Sequence, residues 1–359
     1  MRALNSILVT GGAGFIGSNF IRHLFASSTF SGRVINLDKL TYAGNPENLE
    51  DVLEAFGGKR YFFEKADICD PEAVRAILRR YDIDTVVHFA AESHVDRSIF
   101  GPGDFIQTNI VGTFLLLEAV RELWGSRQDV LFHHVSTDEV FGSLEEGRFS
   151  EDSPYRPRSP YSASKASSDH LARAYFHTYG LPVTVSNCSN NYGPYQFPEK
   201  LIPLIILNMT EGKPLPIYGE GKNVRDWLYV EDHAEAVWQI LKEGQAGETY
   251  AIGGDNEWEN LRLVETLCDT MARLTGGDAK ELRGLIHFVQ DRPGHDQRYA
   301  IDCAKIKRTL GWSQGMAFER GLEATILWYL EHKEWVARVR SGDYRSWVER
   351  NYGRREASQ

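Results

Sequence analysis

Two short stretches carry groups able to move protons. Val135-Ser136-Thr137-Asp138-Glu139-Val140-Phe141-Gly142 is followed by Tyr161-Ser162-Ala163-Ser164-Lys165, so a hydroxyl, two adjacent carboxylates, a phenol and an ammonium fall within 29 residues. Each is a proton carrier or a polarising group. Tyr161 and Lys165 are four apart in a helical pattern and share a face. An ammonium beside a phenol favours the phenolate, so the spacing predicts a lowered pKa and a base near neutral pH. Adjacent acids push their pKa values apart, which gives one group that holds its proton and one that does not. Alone, a Tyr-x-x-x-Lys pair is common on helices, and acids after a strand are often a helix cap. Their order, behind a nucleotide-binding turn, is what points to catalysis.

Regular elements must place these groups. Residues 129–136 read as a buried strand, with Thr137, Asp138 and Glu139 just past its C-terminal end, where open α/β sheets put their ligands. Near the start, Ser6-Ile-Leu-Val-Thr10 reads as a strand, then Gly11-Gly12-Ala13-Gly14-Phe15-Ile16-Gly17, then an apolar helical pattern through Phe20, Ile21, Leu24 and Phe25. Strand, glycine turn and helix form the context of a dinucleotide fingerprint. Gly11, Gly14 and Gly17 let the backbone approach a pyrophosphate resting on the helix N-terminus. A second strand, Arg33–Asp38, ends in an acid 21 residues after Gly17. A carboxylate there binds ribose hydroxyls and repels a 2′-phosphate, which favours NAD over NADP; Lys39 weakens that preference. Strands are also expected at Arg60–Glu64, Asp84–Ala90 and Pro182–Asn187, the last closing the sheet, and a helix near Pro71. Asp67-Ile68 and the loop Ala91-Glu92-Ser93-His94-Val95-Asp96 leave the same sheet edge.

The fold class is therefore α/β: a Rossmann-type doubly wound parallel sheet with a smaller mixed α/β C-terminal substrate domain. The first domain is read as residues 1–187, with return segments at about 227–252, and the second as 188–359, interleaved with it. Turns crowd in from Cys188, and Arg225, Arg292, His295 and Arg298 stand in or beside glycine- or proline-containing loops. Arginine's fork suits diphosphate oxygens. Helices are expected at about Gly103–Trp124 and Tyr161–Tyr179, each apolar on two faces, the mark of a sandwiched helix or an oligomer interface; a homodimer through this pair is the expectation. The proline-rich loop Ser150–Pro160 is expected over the site. One packing helix is expected at Phe318–Val339, and the tail after Tyr352 is expected to fray.

Composition sets bounds. A 42% apolar content supports a sizeable core. A net charge of −10, from 40 Lys+Arg against 50 Asp+Glu, argues against nucleic-acid or membrane-surface binding. Four widely spaced cysteines lack a Cys-x-x-Cys pattern, so no metal site and a reduced, cytoplasmic setting are expected. No apolar run approaches the roughly 18 residues of a membrane span, and the early first strand leaves no room for a signal peptide.

Six motifs together resemble the extended short-chain dehydrogenase/reductases, in their nucleotide-sugar epimerase/dehydratase branch. They are Thr10–Gly17, Ala90–Ser98, Ser136-Thr-Asp-Glu139, Tyr161-x-x-x-Lys165, Cys188–Pro194 and Arg292-Pro-Gly-His-Asp296. The Thr-Asp-Glu triplet is the specific one, because epimerases of the same branch lack the acid pair there. Phe141 stands where the family usually has tyrosine. The resemblance implies a tightly held NAD that is regenerated in each cycle. Phe15 and Ile16 would lie against its pyrophosphate and Asp38, Lys39, Leu40 and Thr41 around its ribose. Asp67 and Ile68 would flank adenine; Ala90, Ala91, Ser93, Thr108, Asn191, Tyr161 and Lys165 would line the way to nicotinamide. For a nucleotide-sugar substrate it implies Ser93, His94, Thr137 and Asn190 near the sugar. Lys200, Leu201, Pro216, Ile217 and Tyr218 would hold the nucleoside, and Arg225, Asn260, Arg292 and His295 the diphosphate.

The implied reaction is dehydration of dTDP-linked glucose to a 4-keto-6-deoxy sugar. Oxidation at C4 makes the C5 proton acidic; Tyr161 takes the 4-hydroxyl proton, Glu139 the C5 proton, and protonated Asp138 donates to the departing C6 oxygen. Thr137 and Lys165 assist at the 4-oxygen and the nicotinamide ribose. The rival readings are a 4-epimerase or decarboxylase on the same scaffold, which would leave the acid pair idle, and a non-catalytic NAD-binding protein, against which the Tyr161/Lys165 pair argues.

Overall fold

The computed structural model describes residues 4–340. Its centre is a seven-stranded parallel sheet in the order β10-β6-β5-β4-β1-β2-β3. The strands are β1 (Ser6–Thr10), β2 (Arg33–Asp38), β3 (Tyr61–Lys65), β4 (Thr85–His88), β5 (Leu131–Thr137), β6 (Val183–Cys188) and β10 (Thr249–Ile252). Helices cover both faces, so the inner strands are buried throughout: every residue of β1, β4, β5 and β6 is buried. One apolar core packs Leu8, Ile35, Val86 and Phe132 under Leu116, Leu117, Val120 and Ala172. The opposite face packs Ile7, Val9 and Val87 under Phe20, Ile21, Leu24, Val237 and Leu241. Burying one such side chain fully contributes about 1.5–3 kcal/mol.

The order reverses between β1 and β4. That switch point opens a crevice at the C-terminal strand ends. The strand boundaries fall within a residue or two of the sequence reading, and β1 and β2 coincide with it. The edge differs: β10 lies outside β6, so the chain closes the sheet only after a long excursion. The return segment is split as well. The helix Val230–Glu243 packs on the sheet with Phe20 and Leu24, but residues 227–229 belong to a small second sheet.

That sheet has the order β11-β9-β7, from β7 (Asn190–Tyr192), β9 (Val224–Tyr229) and β11 (Glu257–Glu259); a two-stranded sheet pairs β8 (Leu215–Tyr218) with β12 (Ile286–Val289). These surround a further apolar core, where Ile202, Ile205, Ile217, Leu263, Leu322 and Ile326 meet.

Three expected elements are built differently. The stretch from Gly103 to Trp124 is not a uniform α-helix: Ile106–Gly112 is π-helical before α-helix resumes at Thr113. Side-chain partners draw the backbone there. Asn109 Nδ2 donates to the Glu92 carbonyl and to Ser164, and the Thr113 hydroxyl donates to the Asn109 carbonyl. The expected helix Phe318–Val339 breaks at His332, whose ring stacks on Trp328. The break lets Trp335 Nε1 donate to Asn48 Oδ1 at 2.8 Å, tying the C-terminal helices to the glycine-loop side. The loop Ser150–Pro160 does not line the cleft. It packs on the turn Asp138–Phe141, with Arg156 N donating to the Val140 carbonyl, and reaches the loop 292–296, where Arg158 Nε stands 3.6 Å from Asp296 Oδ1. The tail after Tyr352 lies outside the described residues.

Candidate active site

One cleft at the switch point gathers residues from the ends of six strands, β1 to β6. Gly11, Gly14, Phe15, Ile16 and Gly17 form its floor beside β1. A Cβ on Gly11 would stand 2.7 Å from the Ala90 backbone, and one on Gly17 would stand 2.4 Å from the Gly11 carbonyl oxygen. Only glycine allows this loop to fold so tightly, leaving the N-terminus of the helix Phe15–Ala26 open to an anion. Asp38, Lys39, Thr41, Asp67 and Ile68 line one end, and Ala90, Ala91, Ser93, Thr108 and Asn191 the middle. These residues fit a dinucleotide. Leu40 does not line the cleft; it sits at φ 59 and turns the chain back. Asp38 accepts from Ala13 N at 2.9 Å and Leu40 N at 2.8 Å, and burial raises its pKa. Lys39 is spent on an ion pair with Asp67 at 2.7 Å.

The acid pair sits where β5 ends. Thr137 is the last strand residue and caps the short 3-10 turn Asp138–Phe141, its hydroxyl accepting from Glu139 N at 3.2 Å. Asn187 of the neighbouring strand donates to the Thr137 carbonyl at 3.1 Å. Gly142, at φ 84, ends the turn. Asp138 is buried and held well above the ordinary carboxyl range, first by burial, then by the negative charges of Glu139 and Asp226. Burial and these neighbours thus favour its protonated form. Glu139 is also raised by burial, but Arg292, Lys200 and Arg225 pull it back down. Both carboxyls are thus raised, Asp138 the more strongly.

Tyr161 and Lys165 lie on the helix Pro160–Tyr179, started by a capping box between Ser159 and Ser162 and ended at Gly180 in the left-handed region. Here the structure corrects the sequence reading. Tyr161 is not lowered by Lys165. Burial and then the Glu139 charge hold its phenol well above the ordinary value, and only a hydrogen bond from Thr137 favours the phenolate. Lys165 instead donates to the Val135 carbonyl at 2.9 Å, and burial lowers its own pKa. Sequence spacing gave the shared helix face but not the opposing carboxylate.

On the substrate side, Ser93, Thr137, Asn190 and Lys200 line the cleft. His94 is buried rather than solvated, and burial holds it well below the ordinary value. Arg225, Asn260, Arg292, His295 and Tyr218 gather in an adjoining cluster that does not line the cleft itself. Tyr218 donates to Asp96 Oδ2 at 3.0 Å, Arg292 Nη1 stands 4.0 Å from Asp96 Oδ1, and His295 Nδ1 meets Asp291 at 2.6 Å. Arg225 is partly engaged, donating to the Asp296 carbonyl at 2.9 Å with its guanidinium over the Tyr299 ring. Leu201 and Pro216 are half-buried, whereas the Ile217 side chain is core. Asp138 Oδ2, Asn190 Oδ1, Asn260 Oδ1 and Arg292 Nε are buried without a hydrogen-bond partner among the described residues. Such groups are rare in a folded protein and suit a polar ligand.

Sequence reasoning missed Tyr42, Glu92, Gln196 and Glu199, all of which line the cleft. It also missed Asp96 and Asp226, the latter pushed up by burial to about 6. None carries periodicity or a motif of its own; Glu92 and Asp96 stood inside the quoted motif Ala90–Ser98 without a role.

Known proteins share this arrangement. A family model described as GDP-mannose 4,6 dehydratase matches residues 8–325. The dTDP-glucose 4,6-dehydratase 1 of Escherichia coli K12 is 55% identical over 365 aligned residues, covering 98% of this chain and 99% of that protein. The solved structure of DesIV, a dTDP-glucose 4,6-dehydratase from Streptomyces venezuelae with NAD bound, is 47% identical at a TM-score of 0.84, covering 92% of this chain and 98% of its own. A UDP-glucose 4-epimerase from Thermotoga maritima is 29% identical at a TM-score of 0.79, covering 91% and 99%.

Proposed function

The chain belongs to the GDP-mannose 4,6-dehydratase family, and from that premise we propose that it removes water from dTDP-glucose to give the 4-keto-6-deoxy sugar. It is an NAD-dependent enzyme acting on a nucleotide sugar. The observation that carries this reading is the pair at the end of β5: adjacent Asp138 and Glu139 line one cleft together with Thr137, Tyr161 and Lys165.

The glycine loop, Asp67, Ile68 and Thr108 would hold NAD. Held there, it would supply the hydride acceptor for oxidation at C4 and the hydride donor for C6. Tyr161 Oη accepts the 4-hydroxyl proton. For that it must start as the phenolate, its own proton having passed to solvent, and the Thr137 hydroxyl is the group that favours the phenolate. Lys165, fixed on the Val135 carbonyl, stands on the same helix face. Ketone formation makes the C5 proton acidic, and the Glu139 carboxylate removes it. Asp138 gives its proton to the C6 oxygen, which leaves as water. Glu139 then returns its proton to C5. Arg225, Asn260, Arg292 and His295 would hold the diphosphate, and Lys200, Leu201, Pro216 and Tyr218 the nucleoside. Residues 188–340, with the excursion of 230–252 returned to the sheet, would form the substrate domain.

The epimerase neighbour supports a second reading, in which the ketone forms but the acid pair is idle. Mass spectrometry of dTDP-glucose incubated with the protein decides between them. Loss of one water is expected; an unchanged mass with inverted C4 would favour the epimerase.

A homodimer fits four exposed apolar side chains on or beside the helices flanking the π segment: Phe100, Ile106, Phe114 and Tyr179, each 41–54% exposed. Four free cysteines, three of them buried, suit a reducing, cytoplasmic setting. No helix among the described residues is long and apolar enough to cross a membrane.

A further inference from the structure

The loop after β2 is fastened at both ends. Asp38 holds Leu40 N and Ala13 N, and Asn45 N donates to the Ala13 carbonyl. Leu40, at φ 59, reverses the chain between these anchors. The middle of the loop therefore projects as a unit, and its tip is Tyr42. The Tyr42 hydroxyl donates to Glu199 Oε1 at 2.9 Å. The other carboxylate oxygen accepts from Arg97 Nε at 3.1 Å, and the Arg97 guanidinium lies 3.8 Å from the Tyr42 ring centroid. Phe197 meets the same ring edge-on at 5.4 Å. Beside them Lys200 Nζ donates to the Ser93 carbonyl at 3.1 Å.

Three segments far apart in sequence thus meet at one carboxylate. Tyr42 comes from the ribose-side loop, Arg97 from the helix after β4, and Glu199 from the residues leading into the helix Leu201–Glu211 on the substrate side. Tyr42, Glu199 and Lys200 all line the cleft, along with the glycine loop and Tyr161. The contact joins one wall of the cleft to the other. Glu199 is buried, so its bonds are charge-assisted and shielded from water, the setting in which a single hydrogen bond is strongest. The dehydration chemistry uses none of the three side chains.

We propose that Tyr42, Arg97 and Glu199 form a clamp that keeps NAD in the cleft from one turnover to the next. The inference rests on the NAD reading above. It gives a physical reason for retention: a cofactor that ends each cycle oxidised gains nothing from exchange, and a cross-cleft bond slows its escape. Opening the clamp requires Glu199 to lose its partners while still buried, which makes opening rare.

The test loads wild type, Tyr42→Phe, Glu199→Gln and the double variant with NAD and desalts them. The nucleotide released over time is then measured. Each single variant is expected to release NAD about tenfold faster or more, the scale of one lost hydrogen bond to a charged group. The double variant should be little faster than Glu199→Gln alone, because that change already disturbs the one bond that Tyr42→Phe removes. The rise in melting temperature that NAD gives wild type should shrink in the variants, while the melting temperature without NAD changes less. Tyr42→Phe keeps the ring under Arg97, so it carries the test if Glu199→Gln does not fold. Wild-type release rates in both single variants would overturn the clamp, and so would a wild type that binds NAD yet loses it on desalting. A wild type that binds no NAD at all would overturn the cofactor reading and the clamp together.

Discussion

Asp138, Glu139 and Tyr161 are one electrostatic unit. Burial raises all three, and Glu139's charge is the next cause for both Asp138 and Tyr161. Coupled groups titrate together, so substitution of one moves the others. Asp138→Asn and Glu139→Gln should each lower kcat for dehydration by about 10²–10⁴-fold, the usual contribution of a positioned acid or base. In a single turnover, Glu139→Gln should still build up reduced cofactor, because ketone formation precedes C5 proton removal. Tyr161→Phe should not; reduced-cofactor absorbance rising at the wild-type rate in that variant would remove Tyr161 from the role of base. The pH dependence has a fixed sign. Ketone formation needs the phenolate, so its rate rises as pH climbs through the phenol pKa. Glu139→Gln takes away a negative neighbour and lowers that pKa, so the rise should move to lower pH. A profile that stays in place would show that Glu139 does not set the phenol.

At the scale of elements, the acid pair depends on how β5 ends. Thr137 caps the 3-10 turn, Asn187 holds its carbonyl, and Asp169 accepts from Asn187 at 3.2 Å and from Tyr155 at 2.7 Å. The helix bearing Tyr161 and Lys165 is thus tied to the strand bearing Thr137 through buried polar bonds. Gly142 closes the turn at φ 84, and a Cβ there would stand 2.4 Å from the Arg156 carbonyl oxygen. Gly142→Ala should cost about 1–3 kcal/mol of stability, the range for a residue forced into a glycine-only conformation, read as a lower urea midpoint. Because the strain falls on the turn and not on the glycine loop, kcat should drop while NAD retention stays at the wild-type level. Loss of NAD in that variant would show that the turn and the cofactor loop are not independent.

At the scale of the whole molecule, two halves share one cleft. The sheet supplies the reacting groups, and the segments after Cys188 supply Lys200, Arg225 and Arg292, which pull Glu139 back towards its charged form. On the homodimer proposed above, the exposed Phe100, Ile106, Phe114 and Tyr179 would lie against the second copy. Scattered exposed apolar residues are normal in a soluble protein, but a cluster on neighbouring helices is an interaction surface. Sedimentation velocity at micromolar concentration should give a dimer for wild type and a monomer for Phe114→Asp. A stable wild-type monomer would leave that face without its partner.

By itself the sequence determined the parallel sheet, the glycine loop and the acids after β5, because these depend on local patterns: β-rich apolar runs, glycine spacing and a strand end. The same local logic located Tyr161 and Lys165 on one helix face. Only the tertiary structure decided what surrounds them. Tyr161 is raised rather than lowered because it is buried and because Glu139, from another element, adds its charge, while Lys165 turns to Val135. Tyr42, Arg97 and Glu199 meet although more than 50 residues separate each from the next in sequence. Electrostatics acts through space, whereas periodicity is read along the chain, so a site whose charges come from distant segments becomes visible only once the chain has folded.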